Sequence, residues 1–150
     1  MHIRWLLKRF DELTPYEVYA ALQLRIEVFV VEQNCPFQDA DNKDQESFHL
    51  LGYNGDTLVA YTRLVPPGLA YTEASIGRVV TSPSVRGSGA GKVLMQESIN
   101  RVYNLFGIGP IKIGAQLYLK KFYQSFGFAH MGDAYIEDGI PHIYMLKLPS

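Results

Sequence analysis

The chain has 150 residues, 47% of them apolar, with 14 basic residues against 15 acidic ones and a formal net charge of −1. That length suits one ordinary domain, residues 1–150, and the apolar share is enough for a continuous core, which excludes a disordered chain. The balanced charge argues against a protein built to grip nucleic acid, because neutralising phosphates needs clustered Lys and Arg.

His2 to Leu7 reads as a first short strand. Thr14-Pro15-Tyr16-Glu17 then starts a helix: Thr14 caps, Pro15 suits the first turn, and Glu17 stands three residues after the cap. Val18, Leu22, Ile26 and Phe29 follow at helical spacing, which predicts a buried face on a helix ending near Glu32. From Asn34 to Glu46 the chain is polar and acidic and reads as an irregular loop, with Asp39 to Asp44 as a solvated segment. Phe48 to Tyr53 and Thr57 to Val65 are β-rich, with a hairpin turn expected at Asn54-Gly55.

Ala74 to Thr81 is a further strand, and a glycine-rich turn follows it. Lys92 to Phe106 reads as a helix with Met95, Ile99, Val102 and Phe106 on one face. Ile111 to Ala115 is a short buried strand, and Leu117 to Phe126 a helix with Gly127 as its C-terminal cap. Tyr135 to Glu137 and Pro141 to Leu148 form a last pair of strands around Asp138-Gly139. The order β-α-β-β-β-α-β-α-β-β predicts a mixed α/β sheet with helices packed on it.

Charged residues make up only 19% of the chain, which leaves apolar surface for a ligand groove or for contact between two copies in a homodimer. Cys35 stands alone, so no intrachain disulfide can form. Arg4, Lys8 and Arg9 interrupt the first apolar residues, and no apolar run approaches a membrane span. A reducing, cytoplasmic setting is the expectation.

The most informative stretch is Val79-Val80-Thr81-Ser82-Pro83-Ser84-Val85-Arg86-Gly87-Ser88-Gly89-Ala90-Gly91-Lys92. A strand runs into alternating glycines that open a helix, where free N–H groups and the helix dipole suit a phosphate or pyrophosphate. The dinucleotide pattern GxGxxG fails, because Lys92 stands where its third glycine belongs. The P-loop fails at Arg86 and at Val93, where a glycine and a magnesium-binding Ser or Thr are required. What remains is R-x-x-G-x-G, Arg86 to Gly91; in isolation this is equally a ligand cradle or a plain turn.

That loop resembles the pyrophosphate loop of the GNAT superfamily of N-acetyltransferases. The family's second motif, a Tyr followed four residues later by Gly-Phe, has its counterpart in Tyr123-Gln124-Ser125-Phe126-Gly127-Phe128. Leu24 to Gln33, Ser75 to Val80 and Glu137 to His142 look like the ElaA-type branch, so the resemblance spans nearly the whole chain. One departure is Gln116, where many GNATs have Asn seven residues before the motif tyrosine.

The resemblance implies a GNAT fold and transfer of acetyl from acetyl-CoA to an amine, on a small molecule or a protein. Main-chain groups of Val79, Val80 and Thr81 would bind pantetheine and acetyl, with Gln116 keeping an amide contact. Main-chain amides of Arg86, Gly87, Ser88, Gly89, Ala90 and Gly91 would hold the pyrophosphate. Tyr123 would protonate the departing thiolate; otherwise it is a core aromatic at a helix end. The chemistry needs no metal. It does need a general base or a water chain to deprotonate the amine, and Glu73, His49, His142, Glu32 and Asp138 all remain open for that role. The alternative is a non-catalytic module of this fold that binds coenzyme A as a sensor or partner domain.

Other constellations carry less. Asp39-Ala40-Asp41-Asn42-Lys43-Asp44 hints at a calcium loop, but Lys43 and Asp44 occupy positions that need an oxygen ligand and a glycine. Arg78 sits on a strand among apolar neighbours and needs a carboxylate, for which Glu27 or Glu32 on the first helix is the expected partner.

Overall fold

A computed structural model of the chain describes residues 2–149. Its strands are β1 (Arg4–Arg9), β2 (Phe48–Asn54), β3 (Thr57–Val65), β4 (Ser75–Thr81), β5 (Ile111–Gln116), β6 (Phe128–Glu137) and β7 (Ile140–Lys147). The helices are α1 (Pro15–Arg25), which continues as a π-helical segment Ile26–Glu32, then α2 (Ala90–Phe106) and α3 (Lys120–Gln124). The mixed α/β architecture is thus present, as two antiparallel sheets ordered β1-β2-β3-β4 and β5-β7-β6.

The sheets touch where β4 and β5 begin, side by side and parallel, at a bridge between Ala74 and Ile111. Beyond it the two strands separate. Helices cover both faces. On one, Ala21, Leu24 and Val28 pack on Leu51, Tyr61 and Val80. On the other, Met95, Ile99 and Val102 of α2 join Leu64, Ile76, Ile113, Phe128, Ile143 and Met145. Burial of such side chains stabilises the fold by about 1.5–3 kcal/mol each.

The Thr14 cap forms as expected: the Glu17 N–H donates to Thr14 Oγ1 at 3.1 Å, and the Thr14 N–H donates to Glu17 Oε1 at 2.8 Å. The buried face of α1 is not the predicted one. Ala21, Leu24, Arg25 and Val28 point inward, whereas Ile26 is 44% exposed. The helix is rotated because Arg25 must be buried to meet carboxylates behind it, and the π-helical turn then shifts the register.

The first hairpin turn is centred one residue later than predicted. Asn54 pairs with Thr57, and between them only Gly55 has positive φ, at 61°, the pattern of a type II′ turn. At the second hairpin Asp138 (φ 52°) and Gly139 (φ 78°) form the turn as read. β6 starts at Phe128, well before the predicted Tyr135. Its register slips between Met131 and Tyr135, around Gly132 at φ 68°, and this bulge breaks the alternation a strand would show.

The stretch Asn34–Glu46 is irregular, as read, apart from a 3-10 turn at Asp44–Glu46, but Asp39 to Asp44 is not a solvated segment. Asp39 and Asp44 are buried, and their carboxylates meet three arginines. Arg25 Nε lies 2.9 Å from Asp39 Oδ2, and Arg25 Nη1 donates to Asp44 Oδ1 at 3.0 Å. Arg63 donates to both Asp41 oxygens, at 2.7 and 3.0 Å, and to Asp44 at 3.0 Å. Arg78 donates to Asp39 Oδ1 at 2.9 Å, so its partners are Asp39 and Asp41 and neither Glu27 nor Glu32. The reason is a bulge. Arg78 takes φ +51° where the β3–β4 register slips, which swings its side chain toward the loop and away from α1.

Candidate active site

The parting of β4 from β5 opens a cleft of about 720 Å³. The Lys112 N–H donates to the Ala74 carbonyl at 2.9 Å and pins the closed end. Val79, Val80 and Thr81 line one wall; Ile113, Gly114, Ala115 and Gln116 line the other. The β4 bulge contributes to the opening, because a bulged strand bends away from its neighbour's plane.

The glycine turn stands at the far end of β4. Gly87 and Gly89 have φ of 81° and 85°, in the left-handed region that a side chain opposes. The Arg86 and Ser88 N–H groups already donate within the turn, to the Pro83 and Val85 carbonyls at 3.3 and 3.2 Å. Those of Gly87, Gly89, Ala90, Gly91 and Lys92 meet no protein acceptor among the described residues. Five free donors at the start of a 17-residue helix make a cradle for an anion. Gly91 and the Arg86 side chain line the cleft. The guanidinium of Arg86 forms a two-pronged pair with Glu32, Nη1 donating to Oε2 at 2.7 Å. That pairing holds the Glu32 carboxyl below its ordinary range.

Tyr123, on α3, is 6% exposed and packs edge-on against Phe122 and Phe128. Its side chain also lines the cleft, and its hydroxyl meets no hydrogen-bond partner among the described residues. Burial pushes the phenol well above its usual titration range, so it keeps its proton at neutral pH. Gln116 closes a reciprocal amide pair with Gln33, at 3.3 and 3.2 Å, which ties β5 to the segment after α1.

The five base candidates separate. Glu73 stands beside the pinned end and does not line the cleft. His49 is buried off the cleft, with Nδ1 at 2.6 Å from the Tyr61 hydroxyl and Nε2 at 2.8 Å from the Asp44 carbonyl. Burial depresses its proton affinity, as for a neutral structural imidazole. Glu32 is engaged by Arg86. Asp138 and His142 both line the cleft. The Cys35 thiol donates to the Asp138 carbonyl at 3.1 Å and fastens the β6–β7 turn over the opening.

Residues 16–149 match the acetyltransferase (GNAT) domain. The chain belongs to that family, whose members are acyl-CoA-dependent N-acyltransferases. Its relatives include ElaA of Escherichia coli, 43% identical over 147 residues, 97% of this chain and 96% of that one. Two crystal structures are also similar. An acyl-CoA N-acyltransferase from Pseudomonas aeruginosa is 40% identical with a TM-score of 0.93, over 97% of this chain and 99% of that one. Escherichia coli ElaA itself is 42% identical with a TM-score of 0.91, over the same shares. The chain falls within the ElaA-like branch.

Two features escape sequence reasoning. Gln33 sits inside a stretch that resembles the branch, yet nothing in its spacing announces a partner 83 positions away. Glu137 lines the cleft with its carboxylate 3.6 Å from His142 Nε2. The sequence places Glu137 on the strand with Tyr135, and residues two apart on a strand share a face, but nothing in it marks which face meets the cleft.

Proposed function

We propose that the chain transfers acetyl from acetyl-CoA to an amine by direct attack while both are bound. The observation that carries this reading is the cleft between β4 and β5, with the free N–H cradle at one end and Tyr123 on the facing wall. In this reading the N–H groups of Gly87, Gly89, Ala90 and Gly91 hold the pyrophosphate, the helix dipole adding to their charge. The unpaired edge of β4, from Val79 to Thr81, offers main-chain groups to pantetheine, and Gln116 offers an amide. Arg86 exchanges Glu32 for a phosphate oxygen.

Attack by the neutral amine forms the carbon–nitrogen bond and places negative charge on the carbonyl oxygen, which an N–H of β4 meets. The carbon–sulfur bond then breaks. Tyr123 is protonated at neutral pH, so it donates a hydrogen bond to the developing thiolate and passes its proton to sulfur. The proton lost from the amide nitrogen restores the phenol through water.

Tyr123→Phe keeps the ring packing and removes the donor. With acetyl-CoA and a panel of small amines, kcat is expected to fall by about 10²- to 10⁴-fold with little change in acetyl-CoA affinity. A Phe variant that turns over at the wild-type rate, with chemistry rate-limiting, would make Tyr123 a core aromatic.

A further inference from the structure

Resting on the acetyl-transfer reading, the geometry points to Nε2 of His142 as the group that takes the ammonium proton from the acceptor. The pleat of the second sheet sets the arrangement. In the antiparallel pairs, Gly114 stands opposite Tyr144, Gln116 opposite His142, and His142 opposite Tyr135. Directly opposed residues project to the same side, so Gly114, Gln116, His142, Tyr144 and Tyr135 share one face. Ile113, Ala115, Ile143 and Met145 project to the other, where Tyr123 joins the same buried cluster. His142 and Tyr123 therefore reach the cleft from opposite faces of one sheet. A thioester held between them meets its amine on the His142 side and releases its sulfur toward Tyr123.

The tautomer of His142 follows from its neighbours. Nδ1 lies 2.7 Å from the Ile140 carbonyl oxygen, which only accepts, so Nδ1 carries the hydrogen. Nε2 is left with a free lone pair, and its nearest charged group is the Glu137 carboxylate at 3.6 Å. That carboxylate stabilises the imidazolium once the proton arrives. His142 is 9% exposed and lines the cleft, and its ring stacks on Tyr135 with centroids 5.8 Å apart. Tyr135 stacks in turn on Tyr144 at 4.6 Å, which holds the imidazole plane in place. Of the other candidates that line the cleft, Glu32 has its carboxylate paired with Arg86, which weakens it as a base, and Asp138 stands on an exposed turn.

The floor beside His142 is Gly114. A Cβ there would meet the hydroxyls of Tyr135 and Tyr71 at 3.0 and 3.1 Å, so glycine keeps this approach open. The acceptor enters as R–NH3⁺ and gives one proton to Nε2. The freed lone pair attacks the thioester, and the imidazolium returns its proton to solvent after product leaves. The titratable groups facing this path are Glu137 and Tyr135 from β6, Asp138 from the turn, Tyr144 from β7, Lys112 from β5 over the Tyr71 and Tyr144 rings, Tyr71 from the β3–β4 connection, Tyr118 before α3, and Glu32 and Cys35 at the end of and after the first helix.

The test uses the full chain with acetyl-CoA and three probe amines, tyramine, spermidine and glycine ethyl ester. For wild type, acceptor kcat/KM is expected to fall on the acid side with a single proton. In His142→Gln it should be about 10²- to 10⁴-fold lower and lose that acid limb, with acetyl-CoA affinity by calorimetry changed less than about twofold. In His142→Ala, added imidazole should restore turnover, which a merely structural histidine would not allow. A Gln variant with wild-type rate and acid limb, or an Ala variant unmoved by imidazole, overturns the role of His142. A wild-type chain that fails to bind acetyl-CoA, or binds it and acetylates none of the three amines, overturns instead the acetyl-transfer reading beneath it.

Discussion

Replacing Arg25 with Met tests whether the buried ion network holds the cleft wall. Arg25 is 1% exposed, and the side chains of its partners Asp39 and Asp44 are 6% and 12% exposed. Removing one partner of such a pair costs about 3–5 kcal/mol, because the remaining charge stays buried. Here each carboxylate keeps a second arginine, Arg78 on Asp39 at 2.9 Å and Arg63 on Asp44 at 3.0 Å, so the lower end applies. At about 3 kcal/mol, a chain of this size should lose about 6–12 °C of melting temperature. Calorimetric melting at pH 7 measures it, beside Glu97→Gln as a control. That change breaks only the Glu97–Arg101 pair, both partners 33% exposed, and should cost less than about 1 kcal/mol. An Arg25→Met variant melting within about 2 °C of wild type would show that the network contributes little and that the reasoning about uncompensated charge is wrong.

Gly89→Val places a β-branched side chain at φ +85°, which strains the turn by about 1–3 kcal/mol and crowds the free N–H groups. Acetyl-CoA affinity by calorimetry should drop at least about tenfold in a variant that still melts cooperatively, and equal affinity would remove the cradle from the donor site. Stability should also fall in acid. Burial opposes the charge on Asp41, but the hydrogen bond and charge of Arg63 outweigh it; on Asp44 burial is likewise outweighed, chiefly by Arg25. Both carboxyls therefore titrate below an unfolded value of about 3.9. Their contribution is complete above that value and is lost as pH falls through the depressed folded values. Urea midpoints measured from neutral pH down to about pH 3 should decline steeply below about pH 4, and Asp41→Asn should flatten that limb.

Much of the architecture was legible because local signals agreed. The capping box at Thr14, the Asp138-Gly139 turn and the stripe of Met95, Ile99 and Val102 each carry their own short-range cause. The cradle was legible because left-handed backbone at Gly87 and Gly89 calls for glycine. What failed depended on distant partners. Arg25 breaks the apolar face of α1 only because Asp39 and Asp44 stand behind it. The acidic stretch from Asp39 to Asp44 reads as solvated until three arginines from α1, β3 and β4 converge on it. Arg78 misled through its bulge, since a strand pattern gives no sign that a non-glycine residue will adopt positive φ. Among the base candidates, sequence offered five residues and no order. Only the hydrogen bonds at each nitrogen and carboxylate separate His49, with both ring atoms engaged, from His142 with one free.

The central claim, direct transfer of acetyl from acetyl-CoA to a bound amine, is tested by one rapid-quench measurement. Acetyl-CoA is mixed with the chain in the presence and absence of tyramine, and mass spectrometry follows the amine and the protein together. The account predicts one acetylated amine for each coenzyme A thiol released, with no acetyl on the protein at any time and no thiol release without amine. An acetylated protein that forms before amine is added, or thiol released with no acetylated amine, would contradict it.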